Sequence, residues 1–424
     1  MDGILLGDGV WLHAVSGLPA GAHLVLVESN GTYGRAMAKR ALVEGARITL
    51  LTRNPSWYPY LADDDYDTVE MDTLDQATVL RACTDIVRRS TAPVAVTAGF
   101  ELSLSLASAV ARRLGLPGPD PVAVLQAATK DHMRIRLAQA GVRVPDFRVA
   151  HTVDEVAEAF DALGAASAVV KPTNTGGSIG VRLVDAGPAA QRHAMTLLGQ
   201  PDDRGTRMPH RVLVEEFLEG EEYSAEVFNG NVYGVTRKRT TPPPTFIETG
   251  HDFPSHAPHV AEHAARAVRA LGLVWGPAHV EIMVDQRGPA VVEINPRLAG
   301  GGISELAEWC TGSDIFGAHL DQLFGRKAEV WPRTESYGAI RSKVATEPGR
   351  VCGVRGVLAA RACEGIRNVN VIAWPESIVG VHGDSRDRLV SVSATGSTAE
   401  QAAWLAEAAL DLIEVDIEKI GVPA

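Results

Sequence analysis

Glu281, Glu293 and Asn295 are the side chains whose types and spacing point most directly to chemistry. They lie in the run from Ala278 to Arg297, which alternates in period two on both sides of a Gly-containing turn. A three-residue loop, Gln286 to Gly288, sets Asp285 opposite Pro289 and hence Glu281 opposite Glu293. Val280, Ile282, Val284, Ala290, Val292 and Ile294 then share the apolar face, and Glu281, Glu293 and Asn295 share the other. Carboxylates directly opposite across a ladder repel unless positive charge sits between them. Two carboxylates and an amide oxygen suit a hard cation, above all Mg²⁺. Mg²⁺ held by so few carboxylates completes its shell with phosphate oxygens and water. The hairpin therefore reads as a Mg-nucleotide site. The competing reading, a solvent-facing polar strand face, is disfavoured by the Asn295-Pro296-Arg297 that follows.

Other candidate groups are spread along the chain. Ala168 to Pro172 reads as a strand carrying Lys171, and it runs into the Gly-rich turn Thr173 to Val181. Backbone N–H groups in such a turn can approach phosphate oxygens, assisted by the hydroxyls of Thr175 and Ser178. The alternative is a merely flexible hairpin loop. Arg211 to Leu218 reads as a strand, and Glu222, Ser224 and Glu226 share one face of the next. Phe246 to His251 reads as a loop, and Leu298 to Gly302 as a flexible turn that lets backbone approach a ligand. Ser304 is placed to cap the following helix, with Glu308 near its first turns.

The elements that must position these groups belong to a chain of 424 residues, enough for about two to four domains. A net charge of −12 argues against a general nucleic-acid or anionic-membrane partner. Four scattered cysteines without CxxC spacing suggest a reducing compartment. The first basic residue is Arg35, so no signal peptide is read, and no apolar run is long enough to cross a bilayer. The expected setting is cytoplasmic. His23 to Glu28, Arg35 to Glu44 and Arg47 to Thr52 form a βαβ unit. Its first turn lacks the full GxGxxG pattern, so an architectural turn, or one touching another substrate, outranks a dinucleotide site. Pro117-Gly118-Pro119 marks a first boundary and Pro332 a softer one. Thr129 to Gly141 and His259 to Leu271 read as helices. Ala399 to Ile413 reads as an amphipathic helix with Trp404, Leu405, Ala408, Ala409 and Leu412 in the core.

Taken in order, Lys171, Gly176-Gly177, Val214 to Leu218, Glu222 to Ser224, Glu281 and Glu293 to Arg297 resemble the ATP-grasp ligases, over about residues 130 to 302. Glu248 to His251 and Arg297 to Gly302 resemble the L-amino-acid ligases, the dipeptide-forming, bacilysin-synthetase type. The resemblance implies an α/β (α+β overall) ATP-grasp fold. Its expected parts are a Rossmann-like N-terminal domain at 1–119, a mobile central lid region at 120–213, a catalytic region at 214–334 and a C-terminal extension at 335–424. It implies ATP and Mg²⁺ as cofactors, with two ions and Mn²⁺ as a substitute. Lys130 and Lys171 would hold phosphates under a loop containing Thr175, Gly176, Gly177 and Ser178. Glu215, Glu216, Phe217 and Leu218 would face adenine and Glu222 the ribose. Glu281, Glu293 and Asn295 would carry the metal. Arg297, His251, Lys238 and Glu248 would serve the reacting carboxylate, the oxyanion, the phosphate and a substrate amino group. The implied partners are a small-molecule carboxylate and an amine, with no nucleic acid or membrane, in a homodimer. Other readings stay open: carboxylase-like or nucleotide-pathway chemistry on the same fold, or nucleotide binding without turnover.

Overall fold

The computed structural model describes residues 17–202, 204–331 and 334–419, preceded by the short backbone pair Ile4–Leu5 and Trp11–Leu12. Pro332, expected as a soft boundary, lies outside the described residues. The fold is α/β, built from a parallel sheet followed by a four-stranded and an eight-stranded antiparallel sheet, with a three-stranded antiparallel sheet, Ile378–Val379, Gly349–Arg355 and Glu414–Glu418, in the C-terminal region. No helix among the described residues is long and apolar enough to cross a membrane.

The parallel sheet orders its strands Asp67–Glu70, Arg47–Thr52, His23–Val27, Val94–Thr97. Leu24, Val25, Leu26 and Val27 are all fully buried, as expected for a central strand covered on both faces. Helix Tyr33–Val43 follows strand His23–Val27, and helix Glu101–Arg113 follows strand Val94–Thr97. Their starts meet at two glycines: a Cβ on Gly34 would sit 2.5 Å from the Gly99 carbonyl oxygen. The first turn is closed from within by Asn30, whose Oδ1 accepts from the Thr32 and Gly34 N–H groups, both at 3.0 Å.

A small four-stranded sheet follows, ordered Phe147–Ala150, Val212–Glu216, Ala168–Pro172, Arg182–Val184. Helices Val153–Leu163 and Gly187–Met195 pack on it through Val156, Phe160, Ala190 and Ala194. The expected boundary at 213/214 falls inside one of its strands.

The large sheet has eight strands, all antiparallel, in the order Gly288–Asn295, Pro277–Asp285, Glu221–Phe228, Asn231–Thr240, Glu248–Phe253, Tyr337–Val344, Arg388–Gly396, Ile366–Val371. It therefore runs without a break past residue 334 into the C-terminal extension. Of the expected loop Phe246 to His251, residues from Glu248 on belong to Glu248–Phe253, an inner strand paired on both sides. Its residues carry little strand preference, and the neighbouring ladders impose the conformation. A Cβ on Gly250 would lie 2.6 Å from the Ile340 carbonyl oxygen, so glycine is needed for this approach.

The hairpin closes differently from the expected three-residue loop. Asp285 faces Gly288 across a two-residue turn, and a bulge beside Ile282 restores Glu281 to a position opposite Glu293. The bulge puts Val291 in the core, where Val292 was expected; Val292 is only partly buried.

Two further expectations change. Ser304 lies within helix Ile303–Thr311, whose N-cap is Gly302, and its hydroxyl donates to the Ala299 carbonyl. Glu308 instead caps the next helix, accepting from Ile315 N at 2.6 Å and Phe316 N at 2.9 Å. In helix Ala399–Asp411 the buried stripe is Ala402, Ala406, Ala409 and Leu410, while Trp404 is 65 % exposed. Small residues face the sheet because this helix lies close against it.

Candidate active site

Glu281 and Glu293 face each other on the hairpin, and a lysine stands beside each. Lys238 Nζ lies 2.9 Å from Glu281, 2.6 Å from Glu222 and 3.0 Å from Glu248. Lys130 Nζ lies 3.1 Å from Glu293. These ammonium groups supply the positive charge that the carboxylate pair requires. Burial opposes ionisation of Glu281, but Lys238 and a hydrogen bond from His279 hold it well below the usual carboxylate range. Burial would lower Lys238, and its three carboxylates hold it well above the usual ammonium value. Glu222 is raised, by burial and by repulsion from Glu281 against the pull of Lys238. Behind Glu281, His279 Nδ1 lies 2.7 Å from Glu226 and its Nε2 3.5 Å from Glu281. Burial alone would lower His279; Glu226 raises it to about 10. This buried relay fixes the orientation of one carboxylate oxygen.

Lys171 and Glu215 sit side by side, at Nζ to Oε2 2.6 Å, and Arg134 Nε donates to the other Glu215 oxygen at 2.7 Å. All three side chains are buried. The Glu215 carboxylate thus bonds two cations in this structure. Burial lowers Lys171 to about 8 against the raising pull of Glu215, with Arg134 and Lys130 adding to the decrease. Glu216 points the other way, to Arg287 at 2.5 Å. Its carboxylate is likewise engaged outside the site. Leu218 is buried, and the Phe217 ring lies 6.1 Å from that of Phe246.

The glycine loop lies over the same region. Lys130 Nζ donates to the Thr175 carbonyl, and Thr175 Oγ1 donates to the Ile179 carbonyl at 3.0 Å. Gly177 and Ser178 both have positive φ, +66° and +61°. The loop is latched from outside: Ser385 N donates to the Gly177 carbonyl at 3.1 Å, and Ser178 Oγ donates to the Phe246 carbonyl at 3.3 Å. Ser385 belongs to the C-terminal extension.

Arg297 carries the first of the residues that the sequence reading missed. Its guanidinium donates to Glu101 Oε2, from Nε at 2.7 Å, and lies over the Tyr33 ring at 4.9 Å. Glu101 opens a helix of the N-terminal domain, 196 residues away in sequence. Burial raises Glu101, but Arg297 and Lys130 lower it overall. With its amide oriented to satisfy its neighbours, Asn295 donates to both Glu293 and Glu101 at 3.2 Å. Glu101 also touches Gly176, where a Cβ would collide with its Oε1. His251 is 2 % exposed, lies 3.7 Å from Glu248, and both its ring nitrogens lack a hydrogen-bond partner. Arg388, from the extension, donates to Glu248 at 3.4 Å. Neither Glu101, Arg134 nor Arg388 sits in a local motif, so pattern reading had no signal for them.

The donor set fits a hard cation. Glu281 and Glu293 present carboxylates from directly opposite positions, and the Asn295 amide, whose nitrogen here faces Glu293 and Glu101, would have to turn its oxygen toward an ion. No group of three or more His, Cys, Asp or Glu side chains among the described residues is arranged to hold a metal. The expected residues Glu222, Lys238, Glu248, His251, Glu281, Glu293, Asn295 and Arg297 are brought together; Lys130 and the glycine loop border them.

The ATP-grasp domain family matches residues 165–305, and the L-amino acid ligase C-terminal domain 2 family matches residues 343–418. The uncharacterized protein y4rH of Sinorhizobium fredii is 31 % identical over 401 residues, covering 93 % of this chain and 83 % of that protein. Alanine–anticapsin ligase of Bacillus amyloliquefaciens is 26 % identical over 298 residues, 64 % of this chain and 61 % of that one. The crystal structure of an L-amino acid ligase from Bacillus licheniformis superposes with a TM-score of 0.78 at 17 % identity, covering 95 % of this chain and all of that one, which establishes the shared fold. With an ATP-grasp domain carrying the carboxylate hairpin and the ligase-type domain joined to its sheet, the chain belongs to the ATP-grasp carboxylate–amine ligase family.

Proposed function

We propose that the protein joins a small carboxylic acid or amino acid to an amine or amino acid, with ATP as the phosphoryl donor and an acyl phosphate between the two half-reactions. The observation that carries this reading is Arg297. It follows the carboxylate strand by two residues and shares Glu101 with Asn295, so its guanidinium borders the ion-binding carboxylates. Nucleotide binding alone does not call for a buried guanidinium there. Glu281, Glu293 and Asn295 would hold Mg²⁺, which screens phosphate charge when bound. Lys130 and Lys171 add positive charge on the small-sheet side, and the glycine loop excludes water from the reactive acyl group. Arg297 positions the carboxylate that attacks phosphorus, then its acyl form. His251 donates one ring N–H to the oxyanion as the amine adds and phosphate departs. Glu248, beside it, receives the amino group.

The test is a phosphate-release screen with ATP and Mg²⁺ over paired acids and amines, followed by product mass. Phosphate release that needs both partners, with a product at the summed mass less water, is the expected result. ATP turnover without a condensed product, or no turnover over the whole matrix, overturns the reading.

Closure of the glycine loop is part of the proposal. Hydrogen exchange from Thr175 to Gly180 is expected to slow by about tenfold when a non-hydrolysable ATP analogue and Mg²⁺ saturate the protein. Exchange that stays unchanged there removes the loop from the nucleotide site.

A further inference from the structure

A doubly wound sheet leaves a crevice outside the carboxyl ends of its strands, where the strand order reverses. Here that point falls between His23–Val27 and Val94–Thr97, and Ser29 and Phe100 follow these two strands. The crevice is filled by the protein itself. Arg204 reaches into it from the small-sheet unit. Its guanidinium carbon lies 3.9 Å from the centroid of the Phe100 ring, 5.1 Å from that of Trp57 and 5.6 Å from that of Tyr58. Its edges donate to the Ser29 carbonyl and the Tyr58 hydroxyl, both at 3.2 Å. Glu28 Oε2 lies 4.0 Å from Nη1. One planar cation thus uses its faces and its edges together. The receptor is held from within the N-terminal domain. Glu28, at φ +57°, accepts from Thr52 Oγ1 at 2.8 Å, Arg53 N at 2.9 Å, Thr73 Oγ1 at 2.6 Å and the Tyr58 hydroxyl. A left-handed glutamate persists only where its surroundings over-determine it. On the small-sheet side, the chain doubles back through a bridge between Pro201 and Arg207. Asp202 Oδ1 fixes that turn, accepting from Arg204 N at 2.9 Å and Thr206 N at 2.7 Å. Thr206 Oγ1 then accepts from Arg53 Nη2 at 2.9 Å.

We propose that Arg204 is a positioning residue for the reaction: seated in the aromatic crevice, it clasps the small-sheet unit, and with it the glycine loop, shut over the reacting groups. The inference rests on the ligase reading above. The link to the site is short. Phe100, against the guanidinium, is followed directly by Glu101, whose Oε1 stands where a Cβ on Gly176 would be. Two consecutive residues of the N-terminal domain therefore meet the small-sheet unit, one at the clasp and one at the glycine loop. Ser385 N holds Gly177 from the C-terminal side, and Arg204 holds the unit from the N-terminal side. The unit also has an apolar core of its own. The cluster around Val156, Phe160, Ala190 and Ala194 includes no residue of the parallel-sheet domain among the described residues. Its seat on that domain is thus set by side-chain clasps and not by a shared core. Arg204 is 21 % exposed, so it can withdraw without opening a core. An acyl phosphate survives only while water is kept out. A clasp that fails should therefore waste the intermediate before it stops the chemistry.

The test measures phosphate release and condensed product together, with the acid and amine pair that the screen above selects, in Arg204→Ala, Arg204→Lys and Trp57→Leu. The wild type is expected to release phosphate and product in equal amounts. Arg204→Ala is expected to raise KM for ATP by about tenfold, the range of a shielded cation–π contact, while kcat for phosphate release stays within about threefold. It should also release about three phosphates or more for each product, because water reaches the acyl phosphate. Arg204→Lys should recover part of both effects, since a point charge keeps the ring contact and loses the planar fork. Trp57→Leu leaves the guanidinium in place and should move both readouts in the same direction. Combined with Arg204→Ala it should add little, because the two side chains act as one contact. A merely structural Arg204 lowers the melting temperature and leaves KM and the phosphate-to-product ratio at wild-type values. That result overturns the proposal while the ligase reading stands. Absence of any condensed product in the wild type overturns both. If R204A melts early, W57L reads the same two quantities, and wild-type values in W57L overturn the clasp.

Discussion

Glu293→Gln is expected to reduce turnover by about a thousandfold or more, with a melting temperature close to that of the wild type. The substitution is nearly isosteric, so the bulged hairpin keeps its register. What changes is one charge. Glu293 faces Glu281 across the ladder, and Lys130 stands 3.1 Å away. Removing its charge relieves the cross-strand repulsion and also leaves Lys130 with less to pair with, and the two effects on stability offset each other. An ion held as proposed by Glu281, Glu293 and Asn295 would have no such compensation, because it would lose one of two carboxylates. Phosphate release and thermal melting should be measured on the same preparations. Wild-type rates in the variant remove Glu293 from the ion site, and early melting makes it a structural residue.

Arg297→Ala is expected to lower acid-dependent phosphate release by about a hundredfold, while ATP affinity measured by calorimetry changes little. The Glu101 contact adds a second expectation. Deleting the guanidinium strands a shielded carboxylate, which costs about 3 kcal/mol of stability. Burial that works against the Glu101 charge is overcome in the intact site chiefly by Arg297. The double variant Glu101→Gln, Arg297→Ala removes the stranded charge and should recover most of the melting temperature without recovering turnover. Arg297→Lys should restore turnover only in part, because a point charge cannot make two parallel bonds to one carboxylate. If ATP affinity falls in step with turnover in the double variant, Arg297 serves the nucleotide and not the substrate acid.

The parts of the site that the sequence made legible are those written in local pattern. Period-two alternation placed Glu281 opposite Glu293, although the turn is one residue shorter than expected and a bulge corrects the register. The strand–glycine-loop–strand from Ala168 to Val184 was readable for the same reason. The pairs that organise the site are long-range and left no pattern. Arg134 meets Glu215 across 81 residues, and Arg297 meets Glu101 across 196. Nothing in the residues around Glu101 distinguishes it from any acid in the first turn of a helix. Glu248–Phe253 was hidden because its two neighbours, and not its own composition, make it a strand. Trp404 shows the reverse error: a large apolar residue at helical spacing faces outward, while alanines take the close contact.

The unbroken large sheet separates two things that are usually assumed to coincide. As units of inheritance, the chain has two matched segments, and the second begins at residue 343. That point lies inside the strand Tyr337–Val344, whose ladder to Glu248–Phe253 holds an inner strand of the first segment. A recombination event at the family boundary would cut through a hydrogen-bonded strand. Cutting before the strand would instead turn Glu248–Phe253 into a bare sheet edge, with unpaired N–H and C=O groups open to any other chain. The two segments are therefore bound to travel together through evolution. Exchange of the C-terminal segment between relatives is constrained to partners whose first strand matches this ladder residue for residue.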